Sequence, residues 1–112
     1  MSRVENDWRE WLVAQKVENI EIHSLVGISD LVDEMLLGTA HNTRHLTHLA
    51  EDAMQFGKTL DVSLIAADGL NNREWIVLDF GVYMIHLMLP EIREKLQLED
   101  LYKSMKLPPL LP

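Results

Sequence analysis

Cysteine is absent from this 112-residue sequence. Its absence excludes disulfides, thiolate catalysis and cysteine-based zinc sites, and is compatible with a reducing compartment. Basic residues are scarce: 10 Lys and Arg stand against 18 Asp and Glu, a formal charge of −8. A phosphate backbone is gripped by clustered Lys and Arg, so direct sequence-specific binding of nucleic acid is not expected. A basic protein surface suits such a chain better, because complementary charge speeds encounter. Long apolar runs are also missing. The longest, Trp75 to Leu89, is broken by Asp79, Gly81 and His86 and falls short of a bilayer span. The opening "MSRVENDWREW" has neither the basic nor the apolar region of a secretory signal. No membrane association is therefore expected, and a cytoplasmic location is.

What is present reads as one α/β domain. The length suffices for a real core but is short for separate substrate and cofactor lobes. Ser2 to Glu5 has the form of a capping box, and Val4, Trp8, Trp11 and Leu12 recur at helical spacing, predicting a helix over residues 3–18. "NIEIHSL" and "VDEMLLG" read as two strands. Asn42 or Thr43 can cap a second helix with Leu46, Leu49, Ala50, Ala53 and Phe56 on its apolar face, and Gly57 is placed to end it. "TLDVSLIA" alternates as a third strand, and "ADGLNNRE" is a turn-rich connection. Gly81 then splits Trp75–Leu89 into an antiparallel hairpin, both arms apolar enough to be covered on both faces. Pro90 and Glu91 suit the first turn of a further helix. The expected fold is a mixed sheet of about five strands flanked by three or four helices.

Several residues invite a catalytic or metal-binding reading. Asp79-Phe80-Gly81 matches a kinase magnesium motif, but no Gly-rich loop, strand lysine or catalytic loop accompanies it. A hairpin turn explains it better. His41, His45, His48 and Asp52 would share one stripe of a continuous helix, the raw material of a transition-metal site and of a metal-dependent hydrolase or nucleotidyltransferase. Against that, His41 precedes the expected cap, no H-E-x-x-H supplies a base, and the stripe borders an apolar helix face. Asp30 and Asp33 lie close in sequence, yet on one strand they would point to opposite faces and not converge on cations. His86, amid Ile85, Leu87 and Met88, reads as a neutral core histidine with a satisfied hydrogen bond.

Taken together, Trp75, Asp79-Phe80-Gly81, His86, Met88, Arg93 and "LEDLY" at Leu98 to Tyr102 resemble the C-terminal signature of the ribosomal silencing factors, the RsfS or Iojap-related family. Gly27, Ser29, Asp33, Arg44-His45 and Asp68-Gly69 match its earlier segments, and the resemblance runs from about Asn19 to Tyr102. This chain departs from the family pattern at Ala40-His41-Asn42, at Val82 where an acid is usual, at Leu96 for a Tyr and at Tyr102 for a Trp. The resemblance implies a nucleotidyltransferase-like fold without catalytic residues over residues 1–105, followed by a Pro-rich tail, 106–112. It also implies a non-enzymatic role needing no cofactor. The family binds the large ribosomal subunit through a ribosomal protein on the intersubunit face and sterically blocks small-subunit joining, or aids late large-subunit assembly. A homodimer when free, and a mitochondrial matrix location as the alternative to the cytoplasm, are further implications.

On that resemblance the expected contact residues are Trp75, Phe80, Met88 and Arg93, since aromatic and Arg anchors carry much interface energy. Asp68 and Asp79 are expected to complement basic groups of the partner. For each of the first four, burial in the core or plain solvation is the competing explanation.

Overall fold

The computed structural model describes residues 3–27, 30, 32–81 and 83–97. Ser2, Ser29, Val82, Leu98 to Tyr102 and the tail 106–112 lie outside them. The order is α1 (Arg3–Ala14), β1 (Glu18–Ser24), β2 (Glu34–Thr39), α2 (Thr43–Thr59), β3 (Ala66–Asp68), β4 (Trp75–Asp79), β5 (Tyr83–Met88) and α3 (Pro90–Leu96). The strands form one mixed sheet ordered β1-β2-β5-β4-β3. Among the described strands only β2 and β5 run parallel, with Leu36 beside Ile85 and Leu37 beside His86. The α/β expectation, five strands included, holds.

Both long helices cover one face of the sheet. From α1, Trp8 and Leu12 are fully buried; from α2, Leu46, Leu49 and Ala53 are. They meet Leu36, Ile76, Leu78, Ile85 and Leu87 of the strands. Trp8 lies at the centre: its ring makes edge contacts with Trp11 and Phe56, and its indole N–H donates to the Tyr83 hydroxyl at 2.6 Å. Burial raises the Tyr83 pKa above 10, partly offset by this bond, while the nearby Glu34 charge adds to the rise. The opposite face carries Met35, Leu37, Met84 and Met88, packed with Leu25, Val32 and Ile92 of α3.

Helix ends depart from the sequence reading for one recurring reason. α1 stops at Ala14, short of residue 18. Lys16 takes φ +64, its N–H bonds the Val13 carbonyl, and Val17 N–H reaches back to Leu12. That is a Schellman arrangement, with a lysine where glycine is usual. α2 likewise runs through Gly57 to Thr59 and closes with Asp61 at φ +61, bonding Lys58, while Val62 N–H reaches Gly57. Residues 60–62 are thus consumed by a helix terminus, so "TLDVSLIA" is not the third strand. Leu60, Val62 and Leu64 still pack on the helix-side core, and β3 begins only at Ala66. Gly57 serves packing instead: a Cβ there would lie 2.8 Å from Phe80 Cε1.

Other local expectations hold. Asn42 caps α2, its side chain accepting His45 N–H at 2.8 Å. Pro90 occupies the first turn of α3. β4 and β5 pair antiparallel around Gly81, which has φ +92. Asp79 is the turn's own brace: its carboxylate accepts Gly81 N–H at 2.8 Å. The Asp-x-Gly triplet is thereby accounted for as turn chemistry.

Candidate partner-binding face

Strand register defines this face row by row, because paired residues point to the same side. One row carries Trp75, Met88 and Thr39; the next Asp68, Val77, His86, Leu37 and Glu21; the third Ala66, Asp79, Met84, Met35 and His23. The β1-β2-β5 end of these rows is closed over. Arg93 of α3 reaches down to donate to Thr39 Oγ1 at 3.0 Å, and its guanidinium lies 3.5 Å from the Glu21 carboxylate. The β4-β3 end is only half covered, and there the strands floor a cleft of about 300 Å³. Its lining is Ala66, Ala67, Asp68, Trp75, Val77, Asp79, Met84 and His86.

Two carboxylates flank an apolar floor. Asp68 stands at the end of β3, one oxygen accepting Gly69 N–H at 2.9 Å. Asp79 ends β4. Diagonal neighbours of this kind are about 7–8 Å apart. Between them lie Val77 and, across the strand, Met84 and His86. Trp75 is half-buried at the rim, its indole N–H donating to His86 Nδ1 at 3.0 Å with the rings stacked at 5.9 Å. Burial drives the His86 pKa down to about 4, so the ring is neutral at physiological pH. Its Nε2 is buried without a partner among the described residues. The expected satisfied core histidine is therefore satisfied on one nitrogen only.

The candidate contact residues divide sharply. Asp68, Asp79 and Trp75 come together around the cleft. Phe80, 5% exposed, lies on the other side of the sheet among Trp8 and Tyr83, with ring centroids 5.4 and 5.5 Å away. Met88 shares the Trp75 row but is 0% exposed, and Arg93 is 6% exposed and tied to Thr39 and Glu21. These three do not present their side chains to solvent; they hold up the elements that do. Residues missed from sequence are Val77, Met84 and Ala66. Val77 was signalled by its place two positions from Trp75 in β4, whereas β5 is apolar throughout and offers no alternation to read.

The histidine stripe does not converge. His41 precedes α2, its Nε2 hydrogen-bonding the Lys16 carbonyl at 2.9 Å; His45 bonds the Gln15 carbonyl at 2.9 Å and accepts His41 N–H on its other nitrogen. The two rings stack at 4.8 Å, clamping α2 to the end of α1. His48 pairs instead with Asp52 at 2.9 Å. Among the described residues no group of three or more His, Asp or Glu is placed to hold a metal ion, Asp30 and Asp33 included. No helix among them is long and apolar enough to cross a membrane.

The family model described as "Ribosomal silencing factor during starvation" (RsfS) matches residues 6–110. A ribosomal silencing factor RsfS from Haemophilus influenzae is 30% identical over 68% of this chain and 74% of its own length. The mouse "Mitochondrial assembly of ribosomal large subunit protein 1" is 34% identical over 62% of this chain, which spans only 32% of that protein. A crystal structure of a Chromobacterium violaceum protein superposes with a TM-score of 0.83 at 24% identity, covering 100% of this chain and 95% of the other, and supports the fold.

Proposed function

The chain belongs to the RsfS family, and from that premise we propose that it is a non-enzymatic, cofactor-independent factor that binds the large ribosomal subunit. The docking surface is the Asp68–Trp75–Asp79 cleft, and the partner is a basic patch of a ribosomal protein on the intersubunit face. Binding there occludes the small subunit, which represses translation or holds a maturing large subunit apart. The single observation carrying this reading is the half-covered end of the sheet, where two carboxylates flank an apolar floor beside a rim tryptophan. A long basic side chain fits such a cleft, its stem on Val77 and Trp75 and its charged head between the carboxylates.

The negative charge of the whole chain supports the same partner, because it accelerates approach to a basic surface and repels bare RNA. The cytoplasm suits this role, as does a mitochondrial matrix, the mouse relative being named for mitochondrial assembly of the large ribosomal subunit. Cosedimentation with purified large subunits, with small subunits added as competitors, tests the proposal. Saturable binding at low salt that small subunits displace is expected. No binding at low salt, where charge attraction is strongest, refutes it. Elemental analysis of untagged protein addresses the metal-dependent alternative, which predicts stoichiometric metal.

A further inference from the structure

We propose that His86 is a positioning residue for the docking face: its Nδ1 accepts the Trp75 indole N–H and holds that ring in one orientation at the rim of the cleft. This rests on the reading of the cleft given above, but its first test does not.

An imidazole is costly in this place. His86 is fully buried in the central strand β5, directly paired with Val77 on one side and Leu37 on the other. With Nδ1 accepting a hydrogen bond, the neutral ring must carry its proton on Nε2. Among the described residues that N–H is buried without a partner, a penalty comparable with the net gain of a whole hydrogen bond. A leucine or phenylalanine would fill the space between Met84 and Met88 without incurring it. What only the histidine supplies is the acceptor at Nδ1.

Among the described residues that acceptor has one client. Trp75 pairs with Met88, so Trp75 and His86 are diagonal neighbours on the same face, a separation that two rings bridge. The 3.0 Å bond and the stacked rings restrain both indole torsions. A restrained aromatic loses less freedom on binding, which is how preorganised anchors gain affinity. Burial keeps Nδ1 unprotonated at neutral pH, so the acceptor persists in the presence of the cleft carboxylates Asp68 and Asp79. Of the other charged groups that share this face, Glu21 and His23 pair with each other on β1, and Arg93 of α3 lies beside Glu21.

The test compares His86→Phe, which keeps an aromatic ring and removes the acceptor, with His86→Asn, whose side-chain oxygen stands near the Nδ1 position. The first readout is the Trp75 indole N–H resonance, assigned by its loss in Trp75→Phe, and its hydrogen-exchange rate. The second is affinity for purified large subunits. In His86→Phe the indole resonance should shift, its exchange should quicken at least tenfold, and binding should weaken about tenfold with the fold retained. His86→Asn should recover most of both. Unchanged indole exchange in His86→Phe overturns the proposal, as does weakened binding in His86→Phe that His86→Asn fails to restore. Should His86→Phe not fold, His86→Asn decides by the same readouts, since wild-type-like indole protection is then expected and its loss is a refutation. If wild-type protein does not bind large subunits, the docking reading falls while the indole exchange still judges the role of His86.

Discussion

Replacing Gly69 by alanine should damage the docking face from the backbone outward. Gly69 sits between Asp68 and the loop to Trp75 with φ +84. A Cβ there would overlap the Trp75 carbonyl oxygen and stand 3.0 Å from Trp75 C and 3.3 Å from Ile76 Cα. These are backbone atoms at the start of β4, so no rotamer change gives relief. The left-handed backbone alone costs a Cβ-bearing residue about 1–2 kcal/mol. The turn is further held by Gly69 N–H on the Asp68 carboxylate and by Arg73 N–H on the Gly69 carbonyl at 3.2 Å. Loss of one or both as the strand retreats adds about 1 kcal/mol apiece.

The sum is about 2–4 kcal/mol, or roughly 8–16 °C in Tm for a chain of this size. Gly27 supplies an internal control. It has the same φ of +84, but a Cβ there would meet nothing within 4 Å, so Gly27→Ala should cost only the backbone term, about 1–2 kcal/mol. Urea unfolding followed by circular dichroism measures both variants. Cosedimentation then asks whether Gly69→Ala, at a temperature where it is folded, has lost large-subunit affinity because Asp68 and Trp75 have moved apart. Equal destabilisation by the two alanines would refute the steric reasoning.

Phe80→Ala should cost about 3–5 kcal/mol, the usual penalty for emptying a buried aromatic site. Phe80→Leu, folded, should bind large subunits with wild-type affinity, and a specific binding loss would return Phe80 to the contact surface. Asp68→Asn combined with Asp79→Asn should leave the fold intact while weakening binding and flattening its salt dependence, measured by cosedimentation from low to high salt. For His86 the sign is set by a folded pKa of about 4 against an ordinary 6.5. The unfolded chain takes the proton first, so this contribution is fully present above about pH 6.5 and is lost as pH falls toward 4, reaching about 3 kcal/mol. Wild type should therefore lose that much more stability than His86→Phe between pH 7 and 4 by denaturant unfolding, and parallel profiles would contradict it. Tyr83→Phe should leave the Trp8 indole N–H unpaired in the core and cost about 1–3 kcal/mol, readable in the same assay.

How much of this was legible beforehand varies with the physics of each element. Asn42, Pro90 and Gly81 are local signals whose geometry is decided by neighbouring residues, and each appeared where expected. The ends of α1 and α2 were misread because Lys16 and Asp61 adopt the left-handed conformation that a sequence reader reserves for glycine. At 60–65 a strand-like alternation turned out to be a helix terminus followed by loop whose apolar residues face the core. Of the proposed contact residues, Asp68, Trp75 and Asp79 meet around one cleft. The burial of Phe80, Met88 and Arg93 was not legible, because distant partners decide it. Arg93 reads as a solvated helix charge until Glu21, 72 positions earlier, is seen beside it.

The parallel pairing of β2 with β5 has a kinetic consequence. β1 with β2, and β3 through β5, are each sequential antiparallel units that can form by short-range closure. They join only where β2 lies along β5, and the same closure brings Trp8 to Tyr83 across 75 positions. That long loop must be ordered before the contacts that reward it exist. The rate of folding is thus expected to be governed by the β2–β5 seam. Truncations at Leu36 or Ile85 should slow refolding, whereas Ala67→Gly in the β3 edge strand should mainly hasten unfolding.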